Sequence, residues 1–355
     1  MSYDFFMEIW KETSYNSGKI NFNNFKNRIN KLESNFMRIK LISMGIFNKK
    51  TKDTLKNYYK EEIKIYNKYI TKQSKIMDDI LSVQLIESDD IPNASFFLST
   101  EFDLKKPYIS RDDEEFYIHE NPVSKEKVFK IPYIRPSSWK GMIRWAALMN
   151  LLKNMKEKKN RGECLTRRSQ IIRIFGNEKE NRENRIFEEL FPEKLLGTNE
   201  NKFNHDFLEY IIKKNYVNKD GLGKGRLYFY PTFFGKISLD IINPHDREIR
   251  IGRNPITMEI VPEGKNRCLK LLYFPFDLLG EDKEIVKKEM KEDLLIICNA
   301  LKLLFEEYGI SAKRTSGYGA AEITKVTFES KALSELRDIA DLDQLIKKIK
   351  SSGGD

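Results

Sequence analysis

The chain has 355 residues, and 63 lysines and arginines outweigh 53 aspartates and glutamates to give a formal net charge of +10 at pH 7. A hydrophobic share of 40% excludes a largely disordered chain, and the positive charge favours a polyanionic partner such as nucleic acid over a lysine-rich surface that serves solubility alone. The scattered cysteines, Cys164, Cys268 and Cys298, fit neither a disulfide framework nor a zinc finger. Because no run of about 18 apolar residues occurs and the amino terminus carries acids instead of the bases of a signal peptide, we expect a soluble, cytoplasmic protein without a membrane partner.

The first part of the chain is predicted to be helical. It contains no proline before Pro92, and apolar residues such as Ile29, Leu32 and Phe36 recur at helical spacing. We therefore interpret residues 1–90 as a helical amino-terminal extension. Beyond it, residues 95–104 (SFFLSTEFDL) alternate between apolar and polar residues, which predicts a strand.

An aperiodic, acidic stretch follows and leads into a second helix. In residues 136–144 (PSSWKGMIR) we expect a loop that opens a helix, with Ser137 or Ser138 as the N-cap. The first turn of a helix presents unpaired backbone N–H groups, so these serines, together with Lys140 and Arg144, predict a phosphate site. An ordinary capped helix would use the same serines, and this alternative stays open.

The rest of the chain mixes helices and strands. Residues 152–220 are interpreted as a mainly helical insertion, and from residue 225 four segments with a period of two predict strands. The GLGKG sequence at residues 221–225 is interpreted as a hairpin or a mobile loop, because it lacks the spacing of a phosphate-binding loop. A long amphipathic helix over residues 283–308 ends at Gly309, and a final strand and a short helical tail over residues 331–355 follow. This order predicts an α+β fold with a mainly antiparallel sheet.

The loop before the final strand is the second candidate site. Residues 309–319 read GISAKRTSGYG, in which Lys313 and Arg314 can neutralise phosphates. Gly317 and Gly319 allow the backbone to approach a ligand closely, and Tyr318 offers a ring on which a base can stack. A simple glycine turn between helix and strand is the alternative for the same residues.

Together these segments resemble the RAMP superfamily of repeat-associated proteins from type III CRISPR effectors. Its G-S-S-x-K-G-x-x-R motif matches here from Ser137 to Arg144, with Pro136 in place of the usual glycine, and its glycine-rich loop matches residues 309–319. Phe175 and Gly176 resemble the family's short F-G segment. The segments at 240–245, 254–256 and 261–264 are similar to those of the terminal, capping subunit of the Cmr (type III-B) complex.

The resemblance implies a ferredoxin-like, RRM-like domain over residues 91–330. It also implies a structural subunit that binds CRISPR RNA, meets target RNA and other subunits of the effector, and needs no cofactor. The alternative is an RNA-cleaving subunit, in which Asp112 or Asp113 would act with a divalent metal to slice target RNA. In a second form of that alternative, His119 would process guide RNA by acid–base chemistry without a metal.

Overall fold

The computed structural model describes residues 22–44, 52–83, 92–112, 121–157, 161–177, 200–243, 255–337 and 339–352. The helices are α1 Phe22–Lys31, α2 Asn35–Met44, α3 Lys52–Val83, α4 Pro136–Glu157, α5 Arg161–Phe175, α6 Glu200–Lys213, α7 Lys283–Leu303 and α8 Leu342–Ser351. The strands are β1 Phe96–Leu104, β2 Tyr133–Ile134, β3 Gly176–Asn177, β4 Gly223–Lys224, β5 Leu227–Phe229, β6 Thr232–Phe233, β7 Ser238–Ile242, β8 Ile256–Ile260, β9 Gly264–Tyr273 and β10 Ala321–Ser330.

The main sheet has four strands in the order β10-β1-β9-β5, and all neighbouring strands are antiparallel. In chain order, α4 lies between β1 and β5, and α7 lies between β9 and β10. This β-α-β-β-α-β arrangement is that of a ferredoxin-like domain. The predicted fold class is therefore confirmed, including the helices that precede the domain.

Alternation along β1 buries one face of the sheet under the helices. Phe96, Leu98 and Phe102 belong to the main hydrophobic cluster, and the ring of Phe96 stacks on that of Tyr273 in β9 with centroids 4.5 Å apart. Residues of α4 and α7, such as Ile143 on α4, complete this cluster from above the sheet. The alternation predicted from the sequence of β1 therefore corresponds to the side chains that face the hydrophobic core.

Helix α7 begins and ends where the sequence predicts. The side chain of Asp282 caps its amino terminus by accepting hydrogen bonds from the N–H groups of Glu284 and Ile285. Its carboxyl end continues into a π-helical turn, Leu304–Tyr308, which stops at Gly309 with φ of +71°. A glycine at this position relieves the steric cost that a side chain would meet at positive φ.

Helix α4 begins earlier than expected. It starts at Pro136, and the carbonyl of Arg135 accepts hydrogen bonds from the N–H groups of Ser138 and Trp139. The prediction that Ser137 or Ser138 is the N-cap is therefore wrong. The reason lies in proline itself, whose fixed φ and missing N–H suit the first position of a helix.

The GLGKG segment forms neither its own hairpin nor a mobile loop. Gly223 and Lys224 make up β4, which pairs with Gly176 and Asn177 of β3. A Cβ atom on Gly225 would lie 2.5 Å from the carbonyl carbon of Phe175, so only glycine permits the two segments to approach this closely. The glycines thus serve backbone packing next to α5.

The long helix α3 lies against the ferredoxin-like domain. The amide of Asn67 exchanges two hydrogen bonds of 2.8 Å with the backbone of Ile237, and the Tyr59 hydroxyl donates to the buried Glu259. Glu259 also pairs with the buried Lys125 at 2.6 Å. Although α3 has 32 residues, no described helix combines the length and the apolar content needed to cross a membrane.

A buried ionic cluster joins α5 to α7 and to the start of β5. Asp293 on α7 is fully buried, and its carboxylate contacts Arg173 at 2.7 Å and Arg226 at 3.2 Å. Tyr273 donates a further hydrogen bond of 2.7 Å to the same carboxylate. Because breaking one partner of such a cluster leaves an uncompensated charge in the interior, these residues fix the insertion in one position.

Candidate nucleic-acid interface

Both loops predicted to bind RNA lie at the same end of the main sheet. Strand β1 ends at Leu104, which pairs with Ala321 at the start of β10. The chain enters α4 after β1 and enters β10 after α7. The two antiparallel strands therefore bring the start of α4 and the glycine-rich loop to one edge, as the β-α-β-β-α-β topology requires.

The glycine-rich loop is closed at its base. The N–H of Ile310 donates to the carbonyl of Gly319 at 3.0 Å, and the N–H of Gly319 donates to the carbonyl of Pro107 at 2.8 Å. The Ser311 hydroxyl accepts from the N–H of Ile109 at 2.7 Å and donates to its carbonyl at 2.9 Å. Sequence reasoning gave Ser311 no role, because a serine inside a polar loop carries no pattern.

Residues 312–317 project from this closed base, and all of them are exposed. Lys313 adopts a positive φ of +54°, which is unfavourable for a residue with a side chain, and Gly317 follows at +85°. The Arg314 guanidinium lies 5.9 Å from the centre of the Tyr308 ring. The loop thus holds two cationic side chains in water at the outer edge of the domain.

Tyr318 has a structural partner. Its hydroxyl donates to Asp240 in β7 at 2.7 Å, and its half-buried ring packs against the small cluster formed by Ile109, Met258 and Ile260. Burial, together with the hydrogen bond to the Asp240 carboxylate, raises the pKa of Tyr318 to about 12. The base-stacking role assigned to this ring stays a prediction.

At the start of α4 the candidate residues differ in exposure. Ser137 and Ser138 are exposed in the first turn, whereas Lys140 and Arg144 are half-buried one and two turns further on. Trp139, which lies between Ser138 and Lys140 in sequence, is fully buried. Its indole N–H donates to the Thr232 hydroxyl at 3.0 Å. The buried indole fixes the orientation of the first turn, so the serines face solvent.

Arg135 and Asp112 connect the two loops, and sequence reasoning missed the arginine. The guanidinium of Arg135 lies 3.4 Å from one carboxylate oxygen of Asp112 and donates to the Ser124 hydroxyl at 3.0 Å. The other oxygen of Asp112 accepts the N–H of Lys125 at 2.8 Å. Residues 105–112 thus contact the glycine-rich loop at one end and the residue before α4 at the other.

Of the candidates for catalysis, only Asp112 can be placed. Asp113 and His119 lie outside the described residues. In the part of the chain that the structure describes, no group of three or more histidine, cysteine, aspartate or glutamate side chains is arranged to hold a metal ion. Both oxygens of Asp112 are engaged by protein groups, which is the arrangement of a residue that holds a loop in place.

Comparison with known families identifies the fold. The model of the RAMP superfamily matches residues 91–322, which is more than half of the chain. The chain belongs to the RAMP superfamily. The matched range of this RAMP chain contains both loops and every strand of the main sheet up to the start of β10.

Two solved structures illustrate what the chain is similar to. A chain of the cryo-EM structure of the Type III-B Cmr-beta bound to cognate target RNA is 14% identical, with a TM-score of 0.47 over 87% of the RAMP chain and 98% of that chain. The crystal structure of Methanopyrus kandleri Csm3 is 20% identical, with a TM-score of 0.37 over 66% of the RAMP chain and 77% of that chain. Curated protein sequences give no significant match.

Proposed function

We propose that this RAMP chain is a structural subunit of a type III CRISPR ribonucleoprotein that binds CRISPR RNA and recognises complementary target RNA in cytoplasmic antiviral defence. The observation that carries the proposal is the meeting of the α4 start and the glycine-rich loop at one end of the sheet, joined through residues 105–112. Membership of the RAMP superfamily supports it. The chain has a net charge of +10, which is opposite in sign to the charge of RNA and favours their association.

The chemistry of this end suits a phosphate backbone. The exposed side chains of Lys313 and Arg314 offer charge, and the first turn of α4 offers the positive end of the helix dipole beside the exposed Ser137 and Ser138 hydroxyls. Contacts of this kind fix the position of a strand and carry no sequence information. Sequence would then be read by base pairing between guide and target, which leaves the protein to recognise the shape of the RNA.

The place of the subunit in the complex is part of the same proposal. The sequence segments similar to the terminal, capping subunit of a Cmr (type III-B) complex favour a position at the end of the row of RAMP subunits. In that position the chain contacts other subunits of the effector together with CRISPR RNA and target RNA.

The contacts of Asp112 favour a non-catalytic subunit over a slicing one. A carboxylate that places a metal ion needs an oxygen that is not already held by protein donors. One carboxylate oxygen of Asp112 instead accepts the backbone N–H of Lys125, and the other pairs with the guanidinium of Arg135. We therefore assign Asp112 to holding the loop between β1 and α4.

Native purification tests the proposal. The tagged chain, expressed in a cell that carries a type III CRISPR locus, is purified, and its co-purifying RNA and proteins are sequenced and identified by mass spectrometry. We expect RNAs that share a repeat-derived end and the other effector subunits. Recovery of the chain alone, or with RNA that lacks any repeat-derived sequence, would contradict the proposal.

A further inference from the structure

The outer face of α3 carries an evenly spaced row of lysines. Lys60, Lys64, Lys68 and Lys72 follow at intervals of four residues and Lys75 completes the row, which is called the lysine row below. All five side chains are exposed. At 1.5 Å of rise per residue the row is about 22 Å long, and its members stand about 6 Å apart along the helix.

Few acids compensate this row. Lys64 forms an exposed pair with Glu61 at 3.2 Å, and among the described residues the other four lysines have no ion pair. Asp78 and Asp79 are the exposed acids near the far end of the row. The charges of Lys60, Lys68 and Lys72 have no ion pair with a described residue on this face, and this is unfavourable in the free protein, since lysines four residues apart repel one another.

An aromatic edge borders the row. The Tyr69 hydroxyl donates to the carbonyl of Phe129 at 3.1 Å, and the ring of Tyr69 stacks on Tyr66 with centroids 6.1 Å apart. Phe129 itself is 39% exposed at the tip of the loop over residues 121–135. The base of that loop contains Ser124 and Arg135, which contact each other beside the start of α4.

We propose that the lysine row and Phe129 form a second contact with single-stranded RNA, which continues along α3 from the guide-binding end of the sheet. A row of exposed lysines can follow a phosphate backbone, and an exposed ring beside it can stack on bases of any identity. The contact is therefore independent of RNA sequence. It goes beyond the function proposed above, because its lysines lie on an amino-terminal helix that precedes the matched family range.

A protein partner fits this face less well. Ile65, Ile76 and Ile80 are exposed on the adjoining side of α3, but ten residues lie between the first two, so the three isoleucines form no continuous apolar stripe. The lysines do form a continuous row. A polyanion such as RNA complements that row directly.

The test is fluorescence anisotropy with labelled, unstructured, uridine-rich RNAs of two lengths. The short RNA covers the sheet end only, and the long RNA also reaches across α3. The row variant is Lys64→Gln, Lys68→Gln, Lys72→Gln and Lys75→Gln. The control variant removes the same charge at exposed lysines elsewhere, through Lys283→Gln, Lys288→Gln, Lys347→Gln and Lys350→Gln.

We expect the row variant to bind the long RNA roughly tenfold to a hundredfold more weakly, with a salt slope reduced by about 0.7 for each lost contact. Its affinity for the short RNA should match that of the parent, and the control variant should bind both RNAs as the parent does. Equal weakening by the row and control variants would mean that only net charge matters, and this would overturn the inference.

A row variant that binds the long RNA like the parent would also overturn it. If that variant then loses a co-purifying subunit, this face of α3 binds a protein and not RNA.

A third variant, Lys140→Gln with Lys313→Gln and Arg314→Gln, separates this inference from the proposed function. Weaker binding by that variant alone would reject the lysine row and leave the sheet end intact, whereas parental binding by both variants would reject both. Circular dichroism checks that every variant is folded.

Discussion

Trp139 and Phe305 stack on each other, with ring centroids 6.4 Å apart and planes inclined by 24°. Trp139 belongs to the first turn of α4, and Phe305 belongs to the π-helical turn that leads into the glycine-rich loop. Both side chains are buried, and both also contact Phe102 of β1. This aromatic contact fixes the two candidate RNA-binding loops relative to each other.

Gly319 should tolerate no side chain. A Cβ atom there would lie 2.1 Å from the Cβ of Ser311, and the residue has a φ of +70°. We expect Gly319→Ala to lower the free energy of unfolding by about 2–4 kcal/mol, because it combines backbone strain with a steric clash. Urea unfolding followed by circular dichroism measures the loss.

Gly317 is the matched control for this substitution. Its φ is +85°, but no heavy atom lies within 4 Å of the position of a Cβ. Gly317→Ala should therefore cost only about 1–2 kcal/mol, which is the strain of the left-handed conformation. Equal losses for the two variants would show that the base of the loop is not packed as described.

Lys125 should contribute much more to stability than an exposed lysine. Its ammonium group lies 2.6 Å from Glu259, and both side chains are buried. We expect Lys125→Met to cost about 3–5 kcal/mol in urea unfolding, because it leaves the Glu259 carboxylate buried without its cation. Lys64→Met, which removes the exposed pair with Glu61, should cost less than about 0.5 kcal/mol. Similar costs for the two variants would contradict the buried pairing.

Stability should fall above pH 10, partly through Tyr108. Burial raises the pKa of this nearly inaccessible side chain to about 12. Between pH 10 and 12 the unfolded chain loses the phenolic proton while the folded chain keeps it, so the free energy of unfolding falls as pH rises. In Tyr108→Phe the free energy of unfolding should decrease by about 2 kcal/mol less between pH 10 and 12 than in the parent, as measured by urea unfolding. An unchanged pH dependence would show that Tyr108 ionises freely in the folded state.

Target RNA cleavage should not depend on Asp112 or Asp113. We expect an assembled complex that contains Asp112→Ala and Asp113→Ala to cut target RNA at the parental rate, because Asp112 is engaged by Lys125 and Arg135. Gel analysis of a labelled target measures the rate. Loss of cleavage with unchanged RNA binding and assembly would support the slicing alternative.

The elements with a long, regular pattern could be predicted from the sequence. Strand β1 and helix α7 have the expected ranges because each buries a single face, so apolar residues recur with the period of the element. The resemblance to the RAMP superfamily placed both candidate loops. The two-residue strands β2, β3, β4 and β6 are too short to show any period, and their pairing depends on distant segments.

Contacts between charged or polar residues could not be predicted. Hydrophobic patterns treat Arg173, Arg226 and Asp293 as surface residues, yet the three are buried together. The docking of α3 depends on side chains such as Asn67 and Tyr59, whose partners lie more than 150 residues away in sequence. Arg135 was missed because its role comes from contacts with Asp112 and Ser124 across an aperiodic loop, where no pattern marks the partners.

The central claim is that RNA binds where the start of α4 meets the glycine-rich loop. The salt dependence of RNA affinity for the variant Lys140→Gln, Lys313→Gln and Arg314→Gln tests it most directly, with Lys283→Gln, Lys288→Gln and Lys347→Gln as the control of equal charge. We expect the loop variant to bind at least about tenfold more weakly, with a salt slope reduced by about 2, since each phosphate contact on single strands contributes about 0.7. Parental affinity and an unchanged slope in the loop variant would contradict the claim.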